Sequence, residues 1–223
     1  MNSGLHLAAG WLVAEGLGLE YADRRIVAFA GVASDLDGLA ILGGTQAFRT
    51  YHHFLLHNLL AVCAIVLLVG LIRRRRRVVL AAAVAALLHL ACDFVASDWS
   101  LYLFEPFWDC RVNMTAFLPR WAVVYLLQGA ATVAIFALVA LVASTRERTF
   151  LEVFTPKGDR LVVRFFLLWL KGARCACGRS ARFKCRLCGK PLCHRHIHIL
   201  RRPLRILCQQ CTKNGKDSAG ATA

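Results

Sequence analysis

Residues 78–97 read VVLAAAVAALLHLACDFVAS, a run that is apolar or small apart from one imidazole, one carboxylate and a terminal serine. At 1.5 Å per residue it reaches about 30 Å, the thickness of a bilayer's hydrocarbon core, so it reads as a membrane helix. His89 and Asp93 stand four residues apart and share one face of that helix. Ionisable groups at such a depth cost several kcal/mol unless they are paired, so the two call for a partner.

Working outward, Phe54–Ile72 and Trp121–Ala143 show the same apolar character, and the second of these carries no charge. Two weaker stretches, Gly4–Leu19 and Ile26–Gly44, are interrupted by polar residues, and the second of them reads as a broken segment. The chain as a whole is 58% hydrophobic with a mean hydropathy of +0.53, and that excess is concentrated in these runs. The fold expected is an all-α integral membrane protein with about five membrane helices. The amino terminus lacks the basic stretch of a secretory signal, so no cleavage is expected.

Basic residues in short loops mark the inner side. Arg24 and Arg25, the run Arg73 to Arg77, and Arg146 with Arg148 all fall on one side of an alternating five-span chain, which predicts an outside amino terminus and an inside carboxyl terminus. The outer loop over 98–120 is rich in aromatic residues and reads equally as an interfacial belt or as a lid over a site. Past the last span, Asp159–Arg174 reads as an amphipathic helix on the inner surface. Its arginines and Lys171 share one face, with Leu161, Phe165 and Trp169 among its apolar residues.

All eight histidines fall in two groups. The membrane group contains His6, His52, His53, His57 and His89, beside Asp35 and Asp37 in the string SDLDG and Asp93 in HLACD. A divalent cation would compensate these charges, and imidazole with carboxylate suits zinc, manganese or non-haem iron. Rise counted from the inner arginines puts Asp35 and His89 at about 15 Å and His6 at about 27 Å. That spread is too wide for one ion in straight upright helices, and it predicts two metals, a tilted bundle, or both.

The second group lies in the tail, with seven of the ten cysteines. Cys175 with Cys177, Cys185 with Cys188, Cys193 with His196, and Cys208 with Cys211 form four close pairs, which supply the eight ligands that two tetrahedral zinc ions need. His194 and His198 are rivals to His196. Whether the pairs combine alternately, as in cross-brace fingers, or in series is open at this stage. Gly178 and Gly189 are placed to make the turns. An inside location is reducing, which favours zinc over disulfides.

Residues 144–223 hold eighteen Lys/Arg against four Asp/Glu, a charge of +14. Seven thiolates and two zinc ions would lower it to about +11. Such a module would bind a cytoplasmic protein or an anionic surface. No aromatic interleaving or recognition helix specifies nucleic acid.

The membrane strings resemble those of the bacterial inner-membrane metal-dependent hydrolases, also described as LexA-binding, inner membrane-associated hydrolases. That family carries an early His, a PDxD string, an HRGxTHS string, and HxxxD with a Trp–Pro–Phe region after it. The pieces here are His6, Asp35 with Asp37, His52 with His57, His89 with Asp93, and Phe104–Trp108; ERTFLEVFTPKGDR also resembles the segment just past the family's last span. The likeness covers about residues 1–165. Ser34 replaces the proline, and YHHFLLHN departs from HRGxTHS, with His53 where the Arg would stand.

The resemblance implies a metal-dependent hydrolase of the bacterial plasma membrane. Its metal ligands or water-orienting groups would be His6, Asp35, Asp37, His52, His57, His89 and Asp93, with Asp35, Asp37, His89 and Asp93 as the catalytic set. A lipid or phosphoester near the outer leaflet is the expected substrate. A metal transporter or sensor, and a membrane-anchored adaptor acting through its zinc module, are the alternatives. The expected organisation is a helical bundle over 1–148, a juxtamembrane segment over 149–174, a zinc module over 175–211 and a disordered tail over 212–223.

Overall fold

The apolar segments fold as helices, and the chain leaves regular α-helix at SDLDG and over 52–58. A computed structural model describes residues 2–170, 172–201 and 204–213, and divides into two units, Met1–Leu141 and Val142–Ala223.

In the first unit α1 (Ser3–Gly16) starts at Asn2, whose side chain accepts the Gly4 N–H at 2.8 Å. Helix α2 (Tyr21–Ala30) is followed at a 53° bend by a 3₁₀ segment, Ala33–Gly43, which contains SDLDG. Next come α3 (Thr45–Tyr51), an irregular stretch over 52–58, α4 (Leu59–Arg73) and α5 (Arg76–Ala96). The Asn58 side chain caps α4 by accepting the Ala61 N–H at 2.8 Å. The loop over 98–120 pairs β1 (Leu101–Tyr102) with β2 (Arg111–Val112), and a π-helical stretch, Ala122–Leu127, leads into α6 (Gln128–Arg146).

Glycines set the closest crossing. A Cβ on Gly31 would lie 2.9 Å from Gly10 Cα and 3.2 Å from the His6 carbonyl oxygen, so α1 and α2 touch backbone to backbone. Below that crossing Ala14, Val27, Ala81, Ala82 and Ala85 form a buried apolar core. Ion pairs then tie the helix ends together. Glu15 meets Arg24 at 3.3 Å, and Asp23 meets Arg73 at 3.2 Å and Arg75 at 3.1 Å.

Among the described residues two helices, Arg76–Ala96 and Ala122–Arg146, are long and apolar enough to cross a membrane, and a third if the bent pair Tyr21–Ala30 and Ala33–Gly43 counts as one span. Helices α1 and α4, of 14 and 15 residues, reach only about 21–22 Å. Each of the five expected segments contains a helix, but SDLDG breaks the second and the 52–58 stretch shortens the third.

In the second unit a 3₁₀ turn, Phe150–Val153, precedes α7 (Pro156–Leu170). Asp159 accepts the Thr149 N–H at 2.9 Å and the Thr149 hydroxyl, which closes the intervening turn. Helix α7 exposes Leu161, Val162, Phe166, Trp169 and Leu170, as an interfacial helix does. It ends before Arg174, which forms an antiparallel bridge to Ser180 and so is not on the helix as expected. Phe165 packs against Phe183, and the Arg182 guanidinium lies 5.3 Å from the Phe165 ring centre. The remaining strands form two hairpins, β3 (Phe183–Lys184) with β4 (Pro191–Leu192), and β5 (His198–Arg201) with β6 (Leu204–Leu207). Residues 212 and 213 continue a short helix over 209–213, and the rest of the expected disordered tail lies outside the described residues.

Candidate metal centres

The bends in the chain bring the bundle's polar groups to one place. His6, His57, His89 and Asp93 are each at most 2% exposed. His57 Nε2 lies 3.1 Å from His89 Nε2, 3.3 Å from Asp93 Oδ2 and 3.6 Å from Asp35 Oδ1. His89 Nε2 lies 3.2 Å from the same Asp93 oxygen and 3.8 Å from Asp35 Oδ1. Zinc bonds of 2.0–2.1 Å to nitrogen and oxygen imply tetrahedral edges of about 3.3–3.4 Å. These five distances bracket that value.

Hydrogen bonding fixes which way the imidazoles face. The Gly31 carbonyl can only accept, so His89 donates to it from Nδ1 at 2.8 Å. His57 donates from Nδ1 to Asp37 Oδ2, also at 2.8 Å. With both rings neutral, as metal ligation requires, the Nε2 lone pairs face each other and two carboxylates. A single proton can bridge only one such pair, whereas a cation satisfies all four atoms. A ligating imidazole held by a carboxylate or carbonyl through its other nitrogen is the usual support of a metal site.

The remaining histidines surround this point. His6 Nε2 lies 3.0 Å from Asp93 Oδ1, and its ring stacks on His89 at 3.7 Å. His53 is 4% exposed, stacks on His57 at 4.1 Å and adopts a left-handed φ of 66° that folds the 52–58 stretch back. Two overlapping groups have ligand spacing: His6, Asp35, His89 and Asp93; and His53, His57 and Asp93. Asp93 belongs to both. His6 Nδ1, His53 Nδ1 and Asp35 Oδ2 are buried without a hydrogen-bond partner.

Asp37 and His52 stand one step back. Asp37 is paired with His52 Nδ1 at 2.8 Å and accepts the backbone N–H groups of His53 and Leu56 at 3.1 and 3.4 Å, besides His57. His52 and His53 also lie 5.4 and 5.6 Å from the Trp99 ring, while Phe107 and Trp108 are exposed. The loop over 98–120 thus sets Trp99 against His52 and His53. Linear spacing marked His57, His89 and Asp93. It left out His53, whose i to i+4 relation to His57 was the available signal, and it could not show the Gly31 carbonyl.

In the tail the pairs alternate. Cys175, Cys177, Cys193 and His196 form one group, and Cys185, Cys188, Cys208 and Cys211 the other. His196, not His194 or His198, faces the first group: its Nδ1 lies 3.3 Å from Cys175 Sγ and 3.5 Å from Cys193 Sγ. The pairs Cys177–Cys193 and Cys188–Cys208 are 3.6 and 3.7 Å apart. Zinc–sulfur bonds of 2.3 Å imply edges of about 3.8 Å. Gly178 and Gly189 take positive φ of 81° and 71° in the turns, where a Cβ would strain the backbone.

Backbone N–H groups of Cys177 and Cys193 hold the Cys175 thiol down to about 6. Burial opposes ionisation of Cys185, but N–H groups of Cys188, Cys208 and Leu187 outweigh it and bring that thiol to about 6 as well. The neighbouring Cys208 thiol, with burial, pushes Cys211 up to about 12. One thiolate in each cluster forms readily, and the rest need a cation beside them.

A family model described as YdjM inner membrane protein matches residues 1–157. No curated protein and no solved structure matches the chain.

Proposed function

The chain belongs to the YdjM inner membrane protein family, and from that premise we propose that its bundle is a metal-dependent hydrolase acting on a lipid or other phosphoester near the outer leaflet. The observation that carries this is the meeting of His57 Nε2, His89 Nε2, Asp93 Oδ2 and Asp35 Oδ1, with both imidazoles turned by acceptors behind them. The donor set suits one zinc or manganese ion. When bound, such an ion supplies a water that ionises near neutral pH and an electrophile for a phosphoryl oxygen.

The chain's own groups support that chemistry. Asp35 Oδ2, buried and without a partner, is placed to orient a water or take its proton. The unpartnered His53 Nδ1 is placed to meet a substrate oxygen, where the related hydrolases carry an arginine. Leu56 and Asn58, on either side of His57, line a mostly apolar groove of about 340 Å³ with Phe54, Leu55, Leu60, Ala61, Ala64, Pro106 and the single carboxylate of Glu105, which suits an acyl chain. Beneath the site Ala14, Val27, Ala81, Ala82 and Ala85 pack as an apolar core, which favours a hydrolase over a transporter.

In this reading five membrane segments place the amino terminus outside and the tail in the cytoplasm. The tail holds two structural zinc ions in a cross-brace and presents its basic surface to a cytoplasmic protein or an anionic surface. Elemental analysis of the full chain in mild detergent tests the bundle centre. The expectation is three divalent ions per chain, one of which is lost, together with hydrolysis of phosphoester lipids, in His89→Ala and Asp93→Ala. Full metal content in both variants would make the cluster interhelical glue and remove the hydrolase reading.

A further inference from the structure

The five consecutive arginines at 73–77 do not share one role. Arg73 and Arg75 are held by the buried carboxylate of Asp23, and Arg75 also lies 3.6 Å from Glu20. These two tie the α4–α5 turn to the start of α2. Arg74, Arg76 and Arg77 are exposed and have no carboxylate partner among the described residues. Of these, Arg74 and Arg76 line a cavity of about 300 Å³ together with Val79 and Leu80.

Local backbone chemistry makes that cavity an anion site. Arg74 is the left-handed cap of α4, at φ 44°, and so is turned away from the line of its helix. Arg76 opens α5, which has no side-chain cap and no acidic residue in its first turn. The partial positive charge of that helix end adds to two guanidiniums instead of opposing them. Like charges in such proximity are costly without an anion between them, and a phosphate diester accepts from two guanidiniums at once. Val79 and Leu80 lie on the hydrocarbon side of the arginines, one turn into a membrane-length helix, and Leu80 is 66% exposed. A free anion would have no use for these two side chains, whereas the first carbons of an acyl chain would.

We propose that the α4–α5 turn is a binding site for an anionic phospholipid, with the phosphodiester between Arg74 and Arg76 and an acyl chain along Val79 and Leu80. Basic residues at a helix end also serve only to orient a chain during insertion, so the test is made on purified protein, where orientation no longer matters. The full chain is placed in nanodiscs of phosphatidylcholine doped with phosphatidylglycerol, and the lipids it retains on release are counted by native mass spectrometry.

Losing two charge-assisted hydrogen bonds to the phosphodiester, at about 1.5 kcal/mol or more each, should make Arg74→Gln/Arg76→Gln weaken phosphatidylglycerol retention by more than about a hundredfold. The matched variant Arg25→Gln/Arg77→Gln removes the same charge from exposed positions outside the cavity, and should change retention by only a few fold. Equal losses in the two variants would reduce the site to a general basic surface. Competition by soluble glycerol phosphate as strong as that by the lipid would make it an anion site without lipid. On the unsubstituted protein, equal retention of phosphatidylcholine and phosphatidylglycerol would overturn the proposal by itself.

Discussion

Asp37 accepts from four donors, two imidazoles and two backbone amides, yet its oxygens are not among the four atoms that converge between His57 and His89. In the proposed centre it would act on the metal through His57, to which it is hydrogen-bonded at Nδ1. Asp37→Asn should weaken metal binding in the bundle by about 10–100-fold, the usual cost of losing a supporting carboxylate. Asp93→Ala, which deletes a converging oxygen, should remove the ion altogether. Chelator competition on the two purified variants separates them. If Asp37→Asn matches Asp93→Ala, then Asp37 ligates directly; if it has no effect, the His57 anchor is unimportant. From the sequence Asp35 and Asp37 were indistinguishable. A 3₁₀ turn separates their roles, pointing one at His57 Nε2 and the other at its Nδ1.

The helix crossing at Gly10 and Gly31 decides where α1 and α2 can sit, and Gly31 also offers the carbonyl that orients His89. Gly31→Ala places a Cβ 2.9 Å from Gly10 Cα, backbone that cannot yield as a side-chain end can. Overpacking of this kind costs about 1–3 kcal/mol. The expected outcome is a lower unfolding temperature in detergent and reduced bundle metal. Gly129, on α6 with open space at its Cβ, is the control, and Gly129→Ala should be neutral or slightly stabilising. If Gly31→Ala leaves both readouts unchanged, the α1–α2 approach is looser than the structure has it. The rise counted along straight helices predicted two metals, a tilted bundle, or both, and takes no account of bends in the chain. A 3₁₀ helix rises about 2.0 Å per residue, not 1.5 Å, and the 52–58 stretch folds back, so groups that spread over several turns in straight helices meet at one point.

At the scale of the whole chain, the metal groups divide between the two units, the bundle set before residue 141 and both cysteine sets after residue 142. Cys175→Ser and Cys208→Ser should each reduce zinc in the full chain without changing the bundle ion, as atomic emission would record. Zinc uptake should also release protons at pH 7. Cys211, near 12, stays protonated until a cation arrives, and Cys177 is likewise raised, the Arg179 backbone N–H being outweighed by burial together with the Cys193 and Cys175 thiols. Titration in buffers of different ionisation enthalpy measures that release, and its absence would mean the thiols are already ionised or never ligate. The sequence by itself determined the apolar segments, the basic clusters beside them, the chemical types gathered in each polar group and the four ligand pairs of the tail, because hydropathy and short spacings are local properties. Only the tertiary structure decided that the tail's pairs alternate, that His196 is the histidine that joins them, and that His57 and His89 face each other across Asp93. Those outcomes depend on where the chain bends at Ala33–Gly43 and over 52–58, and on a backbone carbonyl at Gly31, which carries no side-chain signature.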